Sequence, residues 1–196
     1  TGREVVVVDA QFTPAEAEKV VARIRKETKS PITWVVVTHP NPDKFDGAPV
    51  FQALGAKLVT SKATAKAMPG VHAYKKAYFV GAGMFTDANY PALPTPDVTF
   101  EGDMELPLAG GAKVTLHELA HPGVSTTQTV VSVPAAGALF VGDLVHHGTH
   151  AWLEGGIDGG KPRPDLAAWK LALGELRGYP GATVYGGRGP EGKVEE

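Results

Sequence analysis

Val35-Val-Val-Thr-His-Pro-Asn-Pro-Asp-Lys-Phe-Asp-Gly47 is an apolar run that empties into a polar loop. Residues 33–38, rich in β-branched side chains, predict a buried strand. His39, Asn41, Asp43 and Lys44 follow, with Pro40 and Pro42 stiffening the backbone between them. Gly47 and the run Ala48-Pro-Val-Phe-Gln-Ala-Leu54 then predict a short helix. A strand, polar side chains able to bind metal, then a helix is a common way to build a site at the carboxyl edge of a sheet.

Outward from this stretch, strands and helices alternate. Residues 4–9 predict a buried strand. Thr13 caps a helix, Pro14 takes its first turn, Glu16 completes a capping box, and Val20, Val21 and Ile24 form its apolar stripe to about Thr28. Residues 57–60 predict another strand, and Ser61 caps a helix reaching about Met68. Residues 70–96 lack clean periodicity and carry Tyr74, Tyr78, Phe79, Phe85 and Tyr90. They read equally as a substrate-facing loop or as an edge flap packing its own rings. His72 falls in that predicted loop.

Hairpin-like strands follow: 98–100 with 104–106, then 113–119, whose face carries His117, and 127–133. Residues 134–137 turn into a strand at 138–141. Residues 143–164 form a second irregular stretch, in which the glycines of 155–160 read as a flexible turn. They lack the Lys-Ser/Thr ending of a phosphate loop. Residues 165–176 predict a helix with Leu166, Trp169, Leu173 and Leu176 on one face. Residues 182–185 predict the last strand, and 191–196 a polar tail.

The 196 residues are 43% hydrophobic with 24 Gly and 16 Pro, which suits one loop-rich α/β domain over residues 1–196. A net charge of -2 offers no basic field for nucleic acid or an acidic membrane. No apolar run is long enough to span a bilayer. Without Cys, the available metal ligands are His, Asp, Glu and Asn.

Thr38-His39-Pro40-Asn41-Pro42-Asp43-Lys44-Phe45-Asp46-Gly47 resembles the Thr-His-x-His-x-Asp-His-x-x-Gly signature of the metallo-β-lactamase superfamily. Leu119-Ala-His-Pro-Gly-Val-Ser125 resembles that family's Gly-His element, and Leu139-Phe-Val-Gly-Asp143 its bridging Asp. Tyr185-Gly-Gly-Arg-Gly-Pro190 resembles its Pro-Gly-His-Gly-Pro. The resemblance implies the four-layer αβ/βα sandwich. It also implies further strands ahead of residues 4–9, so the first N-terminal strands are expected to be missing from this chain. A signal peptide upstream of Thr1 stays open.

Three positions depart from the pattern: Asn41, Lys44 and Arg188 stand where the family has His. The resemblance implies one zinc on His39, His121 and Asp143, with Asn41 as a weak fourth contact. At the second metal position, Lys44 and Arg188 carry the charge of a dication and can pair with Asp43 and Asp143 instead.

The implied activity is hydrolysis of a small ester, lactone, thioester or amide. Asp43 would act on the attacking water, and Lys44 and Arg188 on the developing oxyanion. His146, His150 and Trp152 are expected beside the small-molecule substrate. The alternative is a metal-free protein that binds a small anion between Lys44 and Arg188. A third reading makes the aromatic segment 74–90 a docking surface.

Overall fold

Alternation along one strand sets the layers. The structure is a computed structural model that describes residues 3–179 and 181–195. In β2 (Ile32–Val36), Val35, with Val37 just beyond, packs on Ala17, Phe45, Ala48, Phe51 and Met68, and Ile32 joins them across a register irregularity between Ile32 and Trp34. Trp34 and Val36 point the other way, onto Leu116 and Val131. One face of this sheet is therefore covered by helices and the other by a second sheet.

The first sheet holds β1 (Val5–Val8), β2, β3 (Lys57–Ser61) and β4 (Val98–Phe100), all parallel and in that order. Its helices are α1 (Pro14–Glu27), α2 (Pro42–Phe45), α3 (Ala48–Gln52) and α4 (Lys62–Gly81). The α1 cap is as expected, with Thr13 Oγ1 accepting the Glu16 N–H and Pro14 in the first turn. Burying Phe45 and Phe51 completely contributes roughly 1.5–3 kcal/mol each.

The second sheet runs β12-β11-β8-β7-β6-β5. Its strands are β5 (Asp103–Glu105), β6 (Thr115–Glu118), β7 (Thr129–Val133), β8 (Ala138–His146), β11 (Thr183–Arg188) and β12 (Gly192–Lys193). Neighbours are antiparallel except β8 and β11, which are parallel. A separate hairpin joins β9 (Gly156–Asp158) to β10 (Lys161–Arg163). α5 (Leu166–Glu175), capped by Asp165, covers the outer face with Trp169 and Ala172 on Val130, Leu139, Val141 and Val184. The result is the expected four-layer αβ/βα sandwich. Among the described residues, no helix is long and apolar enough to cross a membrane.

Several boundaries differ from the sequence reading. α4 does not stop near Met68 but continues through Pro69 to Gly81, so His72, Tyr74, Tyr78 and Phe79 are helical. Its buried side is Thr64, Met68, Val71 and Lys75, a helical spacing that ends on a charged residue and so escapes a hydrophobic reading. Residues 98–100 and 103–105 belong to different sheets and do not form a hairpin. On α5, Leu166 and Leu173 are exposed, and the buried face is Trp169, Ala172 and Leu176. β8 runs on to His146, placing Asp143 and His146 within a strand. The Gly-rich 155–160 segment holds β9 and the turn to β10.

Candidate functional site

Four chain segments deliver polar side chains to one edge of the sandwich: the ends of β1 and β2, the middle of β8 and the end of β11. Asp9, just past β1, adopts φ 64, a left-handed conformation that Asp tolerates better than most residues. Its carboxylate accepts the Thr38 backbone N–H at 2.9 Å and lies 3.0 Å from the Thr38 hydroxyl through both oxygens. Thr38 Oγ1 is also 2.9 Å from His39 Nδ1. With Asp9 ionised, the hydroxyl donates to Asp9 and His39 Nδ1–H donates to the hydroxyl, leaving Nε2 a bare acceptor. That atom is buried without a hydrogen-bond partner and lies 4.0 Å from Asp143 Oδ2. Gly142, at φ 53, makes room, since a Cβ there would sit 2.3 Å from Thr38 Oγ1.

The loop after His39 is a turn of helix. Asn41 occupies the N-cap of α2 without a side-chain cap bond, and Asp43 and Lys44 follow in the helix. Lys44 Nζ, almost wholly buried, lies 2.7 Å from Asp143 Oδ1 and 2.9 Å from Asp43 Oδ2. Arg188 closes β11 and brings Nη2 to 3.1 Å from Asp43 Oδ2 and Nε to 3.5 Å from Asp143 Oδ2. Two acids and two cations therefore alternate in one network. Gly187 permits it, because a Cβ there would lie 1.9 Å from Asp143 Oδ1 and 3.1 Å from Lys44 Nζ.

Charge and burial set the protonation states. Burial works against the Lys44 ammonium, but Asp43, Asp9 and Asp143 outweigh it and raise its pKa. Burial would raise Asp143. The pull of His39 when protonated, and of Lys44 and Arg188, brings it below the ordinary carboxylate value. Burial, followed by Lys44, pushes His39 down to about 4, so its ring is neutral at neutral pH. Asp9 is pushed up to about 7 by burial, against the opposing pull of Lys44.

The remaining predicted residues divide. His121 does not join His39 and Asp143. Its Nδ1 is 2.8 Å from Glu175 Oε1, and its backbone N–H also donates to that oxygen. His150 is exposed, donates from Nδ1 to the Ala151 carbonyl, and is not among the residues lining the pocket beside the network. His146, at the end of β8, packs 6.2 Å from the Trp169 ring, and both its nitrogens are buried without partners. His117 lies on β6, bonded to Ser132 Oγ and 3.0 Å from Asp103 Oδ1.

Zinc is the cofactor that the family resemblance implies, and the donor set does not fit it. Lys44 already occupies Asp143 Oδ1 and Asp43 Oδ2, and Glu175 holds His121. Among the described residues no group of three His, Asp or Glu side chains converges as a metal ligand set.

Asn41 and Trp152 meet at a 340 Å³ pocket above the network, lined also by Phe12, Pro42, Asp43, Lys75, Phe79, Asp143 and Arg188. Several of these gave no signal in the sequence. Lys75 is a buried lysine on α4, paired with Glu154 and 5.6 Å from the Trp152 ring centre. Trp152 Nε1 donates to the same Glu154 oxygen at 3.0 Å. Phe12 and Phe79 meet with ring centres 5.1 Å apart. Asp9 does carry a cue in the sequence, being a carboxylate directly after a buried strand.

Comparison with known proteins agrees with this architecture. A metallo-β-lactamase from Pontibacter korlensis is 26% identical, with a TM-score of 0.71 over 100% of this chain and 79% of that one. The metallo-β-lactamase FIM-1 from Pseudomonas aeruginosa, in its mono-zinc form, is 20% identical, with a TM-score of 0.69 over 100% and 76%. One from Erythrobacter litoralis is 17% identical, with a TM-score of 0.70 over 100% and 78%. The family model for the metallo-beta-lactamase superfamily matches residues 1–188. With the match spanning nearly all of a four-layer sandwich, this chain belongs to the metallo-β-lactamase superfamily.

Proposed function

We propose that this chain is a metal-independent member of its superfamily that binds a small molecule bearing a carboxylate. The reading rests on Lys44 Nζ, seated between the two carboxylates at 2.7 and 2.9 Å. An ammonium there supplies the positive charge those acids need, and it cannot itself ligate a metal while protonated. The Lys44 side chain is almost wholly buried and already held by both acids, whereas the Arg188 side chain is half exposed. The contact to an incoming anion therefore falls to Arg188, and Lys44 is an internal counter-ion. Elemental analysis of extensively purified protein tests the reading. Less than one ion per chain is expected, with no thermal stabilisation by zinc; one or more tightly held ions per chain would refute it.

Hydrolysis of a small ester, lactone, thioester or amide is the second reading, and one observation favours it. His39 Nε2 is a bare, buried acceptor facing Asp143 across 4.0 Å. Zinc-dependent stabilisation that disappears in a His39→Ala variant, together with turnover of such substrates, would establish it over the first.

A further inference from the structure

We infer that the 340 Å³ pocket takes an aromatic α-amino acid in its zwitterionic form, with the carboxylate on Arg188, the ammonium on Asp43 and the ring against Phe12, Phe79 and Trp152. This rests on the metal-independent reading, because it needs the Lys44 network intact.

Charge decides the ligand class. Two cations, Lys75 and Arg188, and two carboxylates, Asp43 and Asp143, line the pocket, and Lys75 is in turn paired with Glu154. No surplus of positive charge remains to hold a simple anion. A simple cation could use only Asp43 and would leave the free N–H groups on the exposed side of Arg188 unused. A zwitterion answers both signs.

The geometry leaves the necessary groups free. Arg188 turns Nη2 and Nε to the two acids, yet a guanidinium carries five N–H groups, so a further carboxylate can be accommodated on its exposed side. Both ion pairs of Asp43 use Oδ2, which leaves Oδ1 to accept an ammonium. Asn41 stands beside them with no side-chain cap bond. The opposite walls are rings. Phe12 and Phe79 pack on each other, and Trp152 is fixed by its indole N–H on Glu154 while remaining half exposed toward the pocket. An aromatic ring gains much of its binding from burial between such surfaces. The volume lies at the small end of the range for ligand pockets, in keeping with one amino acid.

Calorimetric titration of the full chain with L-phenylalanine, L-tryptophan, 3-phenylpropionate and phenethylamine tests the proposal. One or both amino acids should bind, and loss of either charged end should weaken binding roughly tenfold or more. Arg188→Lys, which keeps the charge but loses the planar fork, should weaken the amino acid by a similar factor, as should Phe79→Ala. Urea midpoints of both variants separate lost binding from lost folding. Phenylpropionate or phenethylamine binding as tightly as the amino acid would overturn the zwitterion, and heats from none of the four would overturn the site. Metal content read on the same samples keeps the two proposals apart. A metal-free protein that binds none of the four sinks only this inference, and one or more tightly held ions per chain sink the reading beneath it.

Discussion

Lys44 Nζ and Asp143 Oδ1 lie 2.7 Å apart, both almost completely buried. Breaking a buried pair by removing one partner leaves an uncompensated charge, which costs about 3–5 kcal/mol. Lys44→Met should therefore lower stability by about that amount in urea denaturation. Adding Asp43→Asn and Asp143→Asn to that variant should recover part of the loss. A single Lys44→Met variant as stable as the parent would show that the pair is not buried in solution.

Gly187 is required for steric reasons, since its φ is not in the left-handed range. A methyl group there would meet Asp143 Oδ1 at 1.9 Å, so Gly187→Ala should displace the carboxylate from Lys44. Overpacking of this kind costs roughly 1–3 kcal/mol. Gly111→Ala is not a clean control, because Gly111 has φ 73. Gly174, on α5 with open space around it, is, and Gly174→Ala should leave the thermal midpoint unchanged or raise it.

The pH dependence of stability has two opposed parts. Asp46 is buried, and burial together with the charge of Asp43 pushes its pKa from 3.8 up to about 8. The folded state then holds that proton more tightly than the unfolded state, so stability declines as pH rises from about 4 to about 8. Asp9 adds the same sign up to about 7. His39, pushed down to about 4, acts in the other direction: stability is lost as pH falls from about 6.5 toward 4. Asp46→Asn removes the first contribution. Its urea midpoint should gain on the parent steadily between pH 5 and pH 8, and a constant gap across that range would contradict the assignment.

Replacing Asn41, Lys44 and Arg188 together by His should convert the network into a metal-dependent one. Without metal, Asp43 and Asp143 would face each other with neither cation, and the variant should melt below the parent. Zinc should then raise its melting temperature, as any ligand confined to the folded state does, while leaving the parent unaffected. No response to zinc in the triple variant would mean that these three positions do not correspond to ligand positions.

Much of the fold was legible because its signals are local. The β-branched run of residues 33–38, the Thr13 and Ser61 caps and the order of motifs each specify an element or its place. What stayed hidden depended on contacts distant in sequence. Pro69 in the interior of α4 reads as a stop, and Lys75 reads as solvent-facing until Glu154, 79 residues away, arrives to pair with it. At the site, the pairing of Lys44 and Arg188 with both acids followed from the positions the family resemblance gives them, together with their charge. The capture of His121 by Glu175 did not, because it needs α5 folded back over the Gly-His element.

Arg188 stands opposite His146 in the parallel pairing of β11 with β8. Side chains alternate sides along a strand, so sliding β11 by a single residue would carry the guanidinium to the reverse surface. Its neighbours on either side are Gly187 and Gly189, and neither has a side chain to take its place. The pairing of the two strands, which shifts register on either side of Gly186, thus fixes which way this cation points. Mutations that loosen that ladder, even far from the pocket, should silence the pocket while every residue lining it is still present.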